Sequence, residues 1–197
     1  MRFPHVSWAR LTSDILSPPV IWRFLAFPIA FREARSREQA LLWALTYCVM
    51  VCVVPGLYIG WMVWRGQISD VHMEIRKERI RPFLVSMVGT ALAWWMLHLM
   101  GAPPLLPFFA LVSLVLLGSM LLVTLVWQIS MHTMSITCAV VAAGALYGVG
   151  PALLLTPLIP VVGAARIKLR RHTLAEVIAG VLLGGSITVL LLITRNP

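Results

Sequence analysis

Two histidines in this chain have neighbours that suit them to phosphoryl chemistry. His172 is followed four residues later by Glu176, and His132 stands two residues after Ser130. Residues at i and i+4 share a helix face, so the Glu176 carboxylate can accept a ring N–H of His172 and hold one tautomer. A histidine held in this way suits the role of a nucleophile oriented by Glu176, and His132 is then the histidine available as the general acid that protonates a leaving oxygen. A third histidine, His98, lies inside an apolar stretch and is expected to be a buried packing residue.

Cationic and hydroxyl side chains near these histidines are candidates for binding a phosphate. Arg166 and Arg81 are favoured because a guanidinium donates two parallel hydrogen bonds to phosphoryl oxygens, and Ser130 can donate one from its hydroxyl. Either Lys77 or Arg76 can add a further positive charge, and the sequence does not choose between them. The set contains a single carboxylate, which makes a magnesium site a poor fit. We therefore expect no metal and no cofactor.

The composition shows what kind of protein must position these groups. The chain has 197 residues, of which 60% are hydrophobic and only 12% charged, and its mean hydropathy is +0.91. No charged residue stands between Arg81 and Arg166. A soluble domain needs charge for its solvent face, and this uncharged run is far too long for a single ~30 Å crossing. The chain is therefore predicted to be an all-α, polytopic membrane protein, which excludes a soluble enzyme, a disordered regulator and a secreted disulfide scaffold.

Hydropathy and turn residues divide the chain into six predicted membrane spans with short connections. The breaks fall at polar patches and at glycine and proline clusters such as Gly101–Pro104. The six spans lie near residues 40–64, 83–100, 105–127, 133–148, 151–165 and 174–194. With six crossings, the three polar segments 65–82, 128–132 and 166–176 meet at one membrane face. Residues 39–197 are thus predicted to form one six-helix transmembrane bundle with its polar motifs together.

Residues 1–38 differ in composition from the spans. Arginines are mixed there with tryptophan and phenylalanine, which is typical of a segment that lies in the membrane interface. The alternative is a docking arm for a partner protein, and the sequence does not separate the two. The net charge of +9 is spread over short loops and termini, which favours contact with anionic lipid headgroups. Because no basic surface interleaved with aromatics stands on a soluble module, we expect no nucleic-acid partner.

The three polar segments carry blocks that resemble those of a known enzyme family. They read Lys77-x3-Arg81-Pro82, Ile129-Ser130-Met131-His132 and Arg166-x5-His172-x3-Glu176. In this order they resemble the K-x6-RP, PSGH and SR-x5-H-x3-D blocks of the type 2 phosphatidic acid phosphatase superfamily, the membrane lipid phosphatases related to vanadium haloperoxidases. The resemblance covers roughly residues 40–194 and is most specific in the third block, where both spacings are kept. It implies a six-helix core that hydrolyses a lipid phosphate without metal, through a phosphohistidine on His172.

Several positions depart from that family pattern. Ile129 and Met131 replace the proline and glycine of the second block, and Ala165 replaces the serine of the third. Glu176 replaces an aspartate, and Glu74 stands where the first block has its lysine. A methionine in place of glycine crowds the approach of a backbone N–H to phosphate. The two histidines of the pattern, His132 and His172, are kept, while several positions around the expected phosphate site are replaced.

These observations support two functional hypotheses. The first is metal-independent hydrolysis of a lipid phosphate or an isoprenoid diphosphate, with the cations holding the phosphoryl oxygens. The second is a non-catalytic relative of the same fold that serves as a structural or lipid-binding subunit of a membrane complex, since fold alone does not establish activity. In both cases we expect an integral, multi-pass protein of a prokaryotic plasma membrane. Its expected partners are membrane lipids, with a membrane protein or a second copy of the chain as further candidates.

Overall fold

The computed structural model of the chain describes residues 7–71, 73 and 75–195, so Glu74 lies outside the described residues. Within these ranges every regular element is a helix, and no strand is present. In chain order the α-helices are α1 Trp8–Ile15, α2 Pro18–Glu33, α3 Arg37–Cys48, α4 Val54–Trp64, α5 Ile80–Leu99, α6 Leu105–Val126, α7 Met131–Tyr147, α8 Val149–Leu155, α9 Leu158–Lys168 and α10 Leu174–Arg195. A π-helical turn, Val49–Val53, joins α3 to α4, and a 3₁₀ turn, Arg76–Arg79, precedes α5.

Five helical segments of the described chain are long and apolar enough to cross a membrane, which confirms the prediction of an all-α, multi-pass membrane protein. They are Arg37–Trp64, Arg76–Leu99, Leu105–Val126, Val149–Lys168 and Leu174–Arg195. Each of them overlaps a span predicted from hydropathy. Helices α1 and α2 taken together also meet this criterion, with a bend of 44° between them. The bend falls just before Pro18, because a proline disfavours the helical conformation in the residue that precedes it.

The fourth predicted span, 133–148, corresponds to α7, which is shorter than the other spans. Ser130 caps its N-terminus, and Gly148 ends it in a conformation with φ of +91° that favours glycine. Its 17 residues rise about 26 Å, less than the ~30 Å hydrocarbon core. Every residue from Thr133 to Val140 is buried. Helix α7 is therefore enclosed by other helices of the protein over most of its length.

The chain is organised in two compact units. Unit 1 contains the residues up to Ile21 and those from Ile129 onward, and unit 2 contains Trp22–Gln128. Within unit 1, α7 packs against α8, α9 and α10, and α1 packs on α9. Within unit 2, α5 packs against α3, α4 and α6. The blocks around His132 and His172 therefore belong to one unit, and the first block belongs to the other.

Glycines allow α10 to approach α7 closely in unit 1. A Cβ atom at Gly180 would collide with the Thr133 hydroxyl and the Ser130 carbonyl, and one at Gly184 would collide with the Met134 backbone. Gly180 and Gly184 are four residues apart and so share a helix face, the spacing that lets membrane helices pack backbone to backbone. This contact fixes the start of α10 against the start of α7, where the two histidines lie.

We expect Gly184→Ala to destabilise the protein and Gly185→Ala to leave it as stable or slightly more stable. A Cβ at Gly185 meets only the Thr137 methyl, at 3.5 Å. Both changes gain up to about 1 kcal/mol of helix propensity, but at Gly184 the clash with backbone costs ~1–3 kcal/mol and cannot be relieved by a rotamer change. Thermal unfolding in detergent, followed by tryptophan fluorescence, measures both variants. Equal melting temperatures would show that α7 and α10 are not in this contact.

The π turn of unit 2 is explained by Pro55. Proline has no N–H to give to the carbonyl four residues earlier, and its ring crowds that carbonyl. The wider turn relieves this crowding, with the Val54 N–H donating to the Val49 carbonyl five residues back. Helix α5 approaches the turn at Gly89, where a Cβ atom would collide with the Met50 carbonyl oxygen. The turn therefore marks the place where α5 packs against the first long span.

Candidate active site

The side chains of His172 and Glu176 meet at the start of α10. His172 Nδ1 lies 2.9 Å from Glu176 Oε2, and His172 is only 6% exposed. A carboxylate only accepts hydrogen bonds, so the contact requires a proton on His172 Nδ1, and in the neutral ring the lone pair is then on Nε2. The i, i+4 pair predicted from the sequence therefore has the geometry that an imidazole nucleophile needs.

Glu176 has a second structural role at the same helix end. The Thr173 N–H donates to Glu176 Oε2 at 3.0 Å, and the Glu176 N–H donates to the Thr173 hydroxyl oxygen at 3.3 Å. This reciprocal pair is a capping box, with Thr173 as the N-cap of α10. The cap therefore fixes the position of the Glu176 carboxylate that also contacts His172.

The turn between α9 and α10 sets the distance between Arg166 and His172. Arg171 N–H donates to the Arg166 carbonyl at 3.1 Å, and Arg170 N–H donates to the Ile167 carbonyl at 2.9 Å. Arg170 has a φ of +55°, so this is a helix C-cap closed by a left-handed residue. The six-residue spacing of the third block thus corresponds to one compact, hydrogen-bonded turn.

Arg166 and His132 both contact Ser13 of α1. Arg166 is 2% exposed, and its Nη1 donates to Ser13 Oγ at 2.7 Å. His132 Nε2 lies 3.4 Å from the same oxygen, and its ring is half-buried. Ser13 is itself 2% exposed. Three elements that are distant in sequence, α1, α7 and α9, thus meet at one hydroxyl.

Ser13 is the site residue that sequence reasoning missed. It lies within the segment 1–38, whose composition predicts an interfacial segment or a docking arm. Ala9 and Ser13 form the buried face of α1, while Trp8, Leu11 and Ile15 are exposed. A short helix that places small residues four apart and large apolar residues on the opposite side packs its small face on protein. This pattern in the sequence indicates that α1 packs on other helices of the protein through its small residues.

Ser130, predicted to bind phosphate, is completely buried and caps α7. Its hydroxyl oxygen accepts from the Thr133 N–H at 3.4 Å, and its own N–H donates to the Glu176 carbonyl at 3.1 Å. In this structure Ser130 therefore fixes where α7 begins and ties that end to α10. His132, the second residue of α7, is positioned by this cap.

The first block lies in unit 2. Lys77 and Arg81 are exposed and Arg76 is half-buried. The buried cation of this segment is Arg79, which is 6% exposed and whose Nε donates to the Met73 carbonyl at 2.8 Å. The phosphate-binding roles of Arg76, Lys77 and Arg81 stay predictions from the sequence.

No family model, curated protein or solved structure matches this chain. Its chemistry is therefore inferred from the side chains of unit 1. Among the described residues, no three His, Cys, Asp or Glu side chains form a group that could hold a metal ion. What unit 1 does offer is a buried imidazole oriented by a carboxylate, a buried guanidinium and a second imidazole. These are the groups that nucleophilic transfer of a phosphoryl group requires.

Proposed function

We propose that the chain is a membrane phosphatase that hydrolyses a lipid phosphate or an isoprenoid diphosphate through a phosphohistidine. The observation that carries the proposal is the 2.9 Å contact between His172 Nδ1 and Glu176 Oε2 in a buried setting. It leaves His172 Nε2 as the atom that attacks phosphorus, with Glu176 orienting the ring and stabilising the positive charge that develops on it.

The two steps of the reaction follow from this assignment. His172 Nε2 forms a bond to phosphorus while the bond from phosphorus to the leaving oxygen breaks, and protonated His132 gives its proton to that oxygen. Water then attacks phosphorus and gives a proton to the now neutral His132, the P–N bond breaks, and orthophosphate leaves with both histidines back in their starting protonation states. Arg166 binds the phosphoryl oxygens and balances their charge, because a guanidinium matches phosphate geometry.

The large apolar surface of the helices favours a substrate with a hydrocarbon tail. The long helices expose leucine, isoleucine and valine to the hydrocarbon core. The tail of a lipid substrate would stay in that core while its phosphate headgroup binds at the polar end of α10. We place this reaction at the surface of a prokaryotic plasma membrane.

Orthophosphate release by the detergent-purified protein tests the proposal. The substrates are phosphatidic acid, phosphatidylglycerophosphate, and undecaprenyl and farnesyl diphosphates, each with and without EDTA. We expect release from at least one of them, unaffected by EDTA. A quenched reaction with a ³²P-labelled substrate should give label that is stable in alkali and lost in acid, as expected for a P–N bond. Release that depends on an added metal ion, or label that resists acid, would contradict the phosphohistidine route.

A second candidate function is a non-catalytic structural or lipid-binding subunit. Two features favour it. The Ser13 hydroxyl accepts a hydrogen bond from Arg166 and so occupies a donor that a phosphate would use. Ile129 and Met131 also stand beside Ser130 where the family blocks have the proline and the glycine. A folded protein that releases no phosphate from any substrate, and that purifies with a membrane protein in fixed stoichiometry, would support this function. Self-association alone fits either function.

A further inference from the structure

Two groups of the proposed site converge on a hydroxyl supplied by α1. Arg166 Nη1 donates to Ser13 Oγ at 2.7 Å, and His132 Nε2 is 3.4 Å from the same oxygen. We propose that Ser13 is a positioning residue of the phosphate site and that α1 is part of that site. The inference rests on the proposed function, because it assigns Ser13 to the place where that reaction would occur.

The direction of these hydrogen bonds shows what Ser13 can do. A guanidinium has only donors, so Ser13 Oγ must accept from Arg166. The second lone pair of this oxygen can accept from Nε2 of protonated His132, and the hydroxyl proton is then available for a phosphoryl oxygen when one is bound. By accepting from Nη1, Ser13 fixes the plane of the guanidinium, and by meeting Nε2 it fixes the ring of the proposed acid. One side chain thus sets the orientation of two groups that must act on the same phosphate.

The burial of these groups makes that orientation matter. Arg166 and Ser13 are each 2% exposed, so in this structure the guanidinium is surrounded by protein. Ala165, the neighbour of Arg166 on α9, is also completely buried and has no hydroxyl. Ser13 therefore brings a hydroxyl to Arg166 from another helix. A hydrogen bond to a charged group in such a setting is stronger than one at the surface.

Helix α1 is held on α9 by more than this hydrogen bond. The Lys168 ammonium lies 4.8 Å from the centre of the Trp8 ring, which is a cation–π contact. Ala9 is completely buried on the same face as Ser13, and Ser7 caps the helix by accepting from the Arg10 N–H at 3.3 Å. The Trp8 contact and the buried Ala9 do not involve the Ser13 hydroxyl, so we expect α1 to stay docked in its absence, and the hydroxyl can be tested separately from the helix.

The test compares Ser13→Ala with Ser13→Thr and with Thr12→Val as a matched control. Thr12 is the preceding residue of α1 and is half-buried. Each full-length variant is assayed for phosphate release, giving kcat and KM, and for binding of inorganic phosphate, followed by the rise in melting temperature with phosphate concentration. We expect Ser13→Ala to weaken phosphate binding and to lower kcat/KM by about 10- to 100-fold. Ser13→Thr should restore most of both values, and Thr12→Val should match the wild type.

The outcomes separate this inference from the proposed function. If the wild type releases phosphate and Ser13→Ala equals Thr12→Val, Ser13 is a packing residue and the inference is overturned. If Ser13→Ala is faster than the wild type, Ser13 blocks the site and the inference is likewise wrong. If the wild type binds phosphate in a Ser13-dependent way without turning over any substrate, the inference stands and the proposed catalysis fails. A wild type that neither binds nor releases phosphate overturns both.

Discussion

Replacing His172 with alanine is expected to lower phosphate release by about a thousandfold or more, because it removes the Nε2 atom on which the proposed P–N bond forms. The contact of its Nδ1 with Glu176 Oε2, at 2.9 Å, orients this imidazole. The melting temperature should change by only a few degrees, since Glu176 keeps its hydrogen bond from the Thr173 N–H at 3.0 Å. Orthophosphate release and tryptophan-monitored unfolding of the same preparation measure the two effects.

Two further variants make the His172 result interpretable. His172→Gln keeps a side-chain donor for Glu176 but has no nucleophilic nitrogen, so it should be as inactive as His172→Ala and closer to wild type in stability. His98→Ala removes a histidine from unit 2, where the ring is exposed and its Nδ1 lies 3.0 Å from the Trp94 carbonyl. It should be fully active. An unchanged rate in His172→Ala would rule out the phosphohistidine on this residue.

The contacts within the third block could be predicted because they are local in sequence. A spacing of four residues on one helix brings His172 and Glu176 together whatever the rest of the fold does, and the structure places them 2.9 Å apart. Hydropathy predicted the long helices for a similar reason, since the bilayer sets both their length and their composition. The length of α7 is not set by the bilayer in this way. Its cap at Ser130 and its end at Gly148 limit it to 17 residues.

Ser13 could not be found by the same reasoning. It lies 119 residues from His132 and 153 residues from Arg166, and no periodicity links positions that far apart. The contact depends on which face of α1 packs on α9, which is a tertiary choice. The small residues Ala9 and Ser13 indicate the face of α1 that packs on protein, but nothing in the sequence indicates that its partner is α9.

The exposure of single side chains was also beyond the sequence. The prediction of His98 as a buried residue is wrong: it lies at the exposed C-terminal end of α5, where its ring packs at 4.5 Å from that of Trp94. In the first block the 3₁₀ turn before α5 puts Arg79 inside and leaves Arg81 exposed. A change from three to 3.6 residues per turn shifts which arginine faces the protein.

Replacing Glu176 with glutamine should separate its two roles. Glutamine keeps an oxygen that can accept from the Thr173 N–H, so the capping box and the melting temperature should be largely preserved. It loses the negative charge that stabilises a positive His172 ring when Nε2 forms its bond to phosphorus. We expect kcat to fall by about 100-fold or more, as when the carboxylate beside a catalytic histidine is made neutral.

Glu176→Ala and Glu176→Asp complete this comparison. Alanine removes the charge and the cap, so it should be as inactive as glutamine and should also lose about 1 kcal/mol of stability, or about 2–4 °C in melting temperature. Aspartate keeps a carboxylate at the third helical position and should retain most of the activity. If Glu176→Gln were fully active while Glu176→Ala lost only stability, the carboxylate would be a helix cap and nothing more. The nucleophile assignment would then lose its support, because the orientation of His172 depends on that charge.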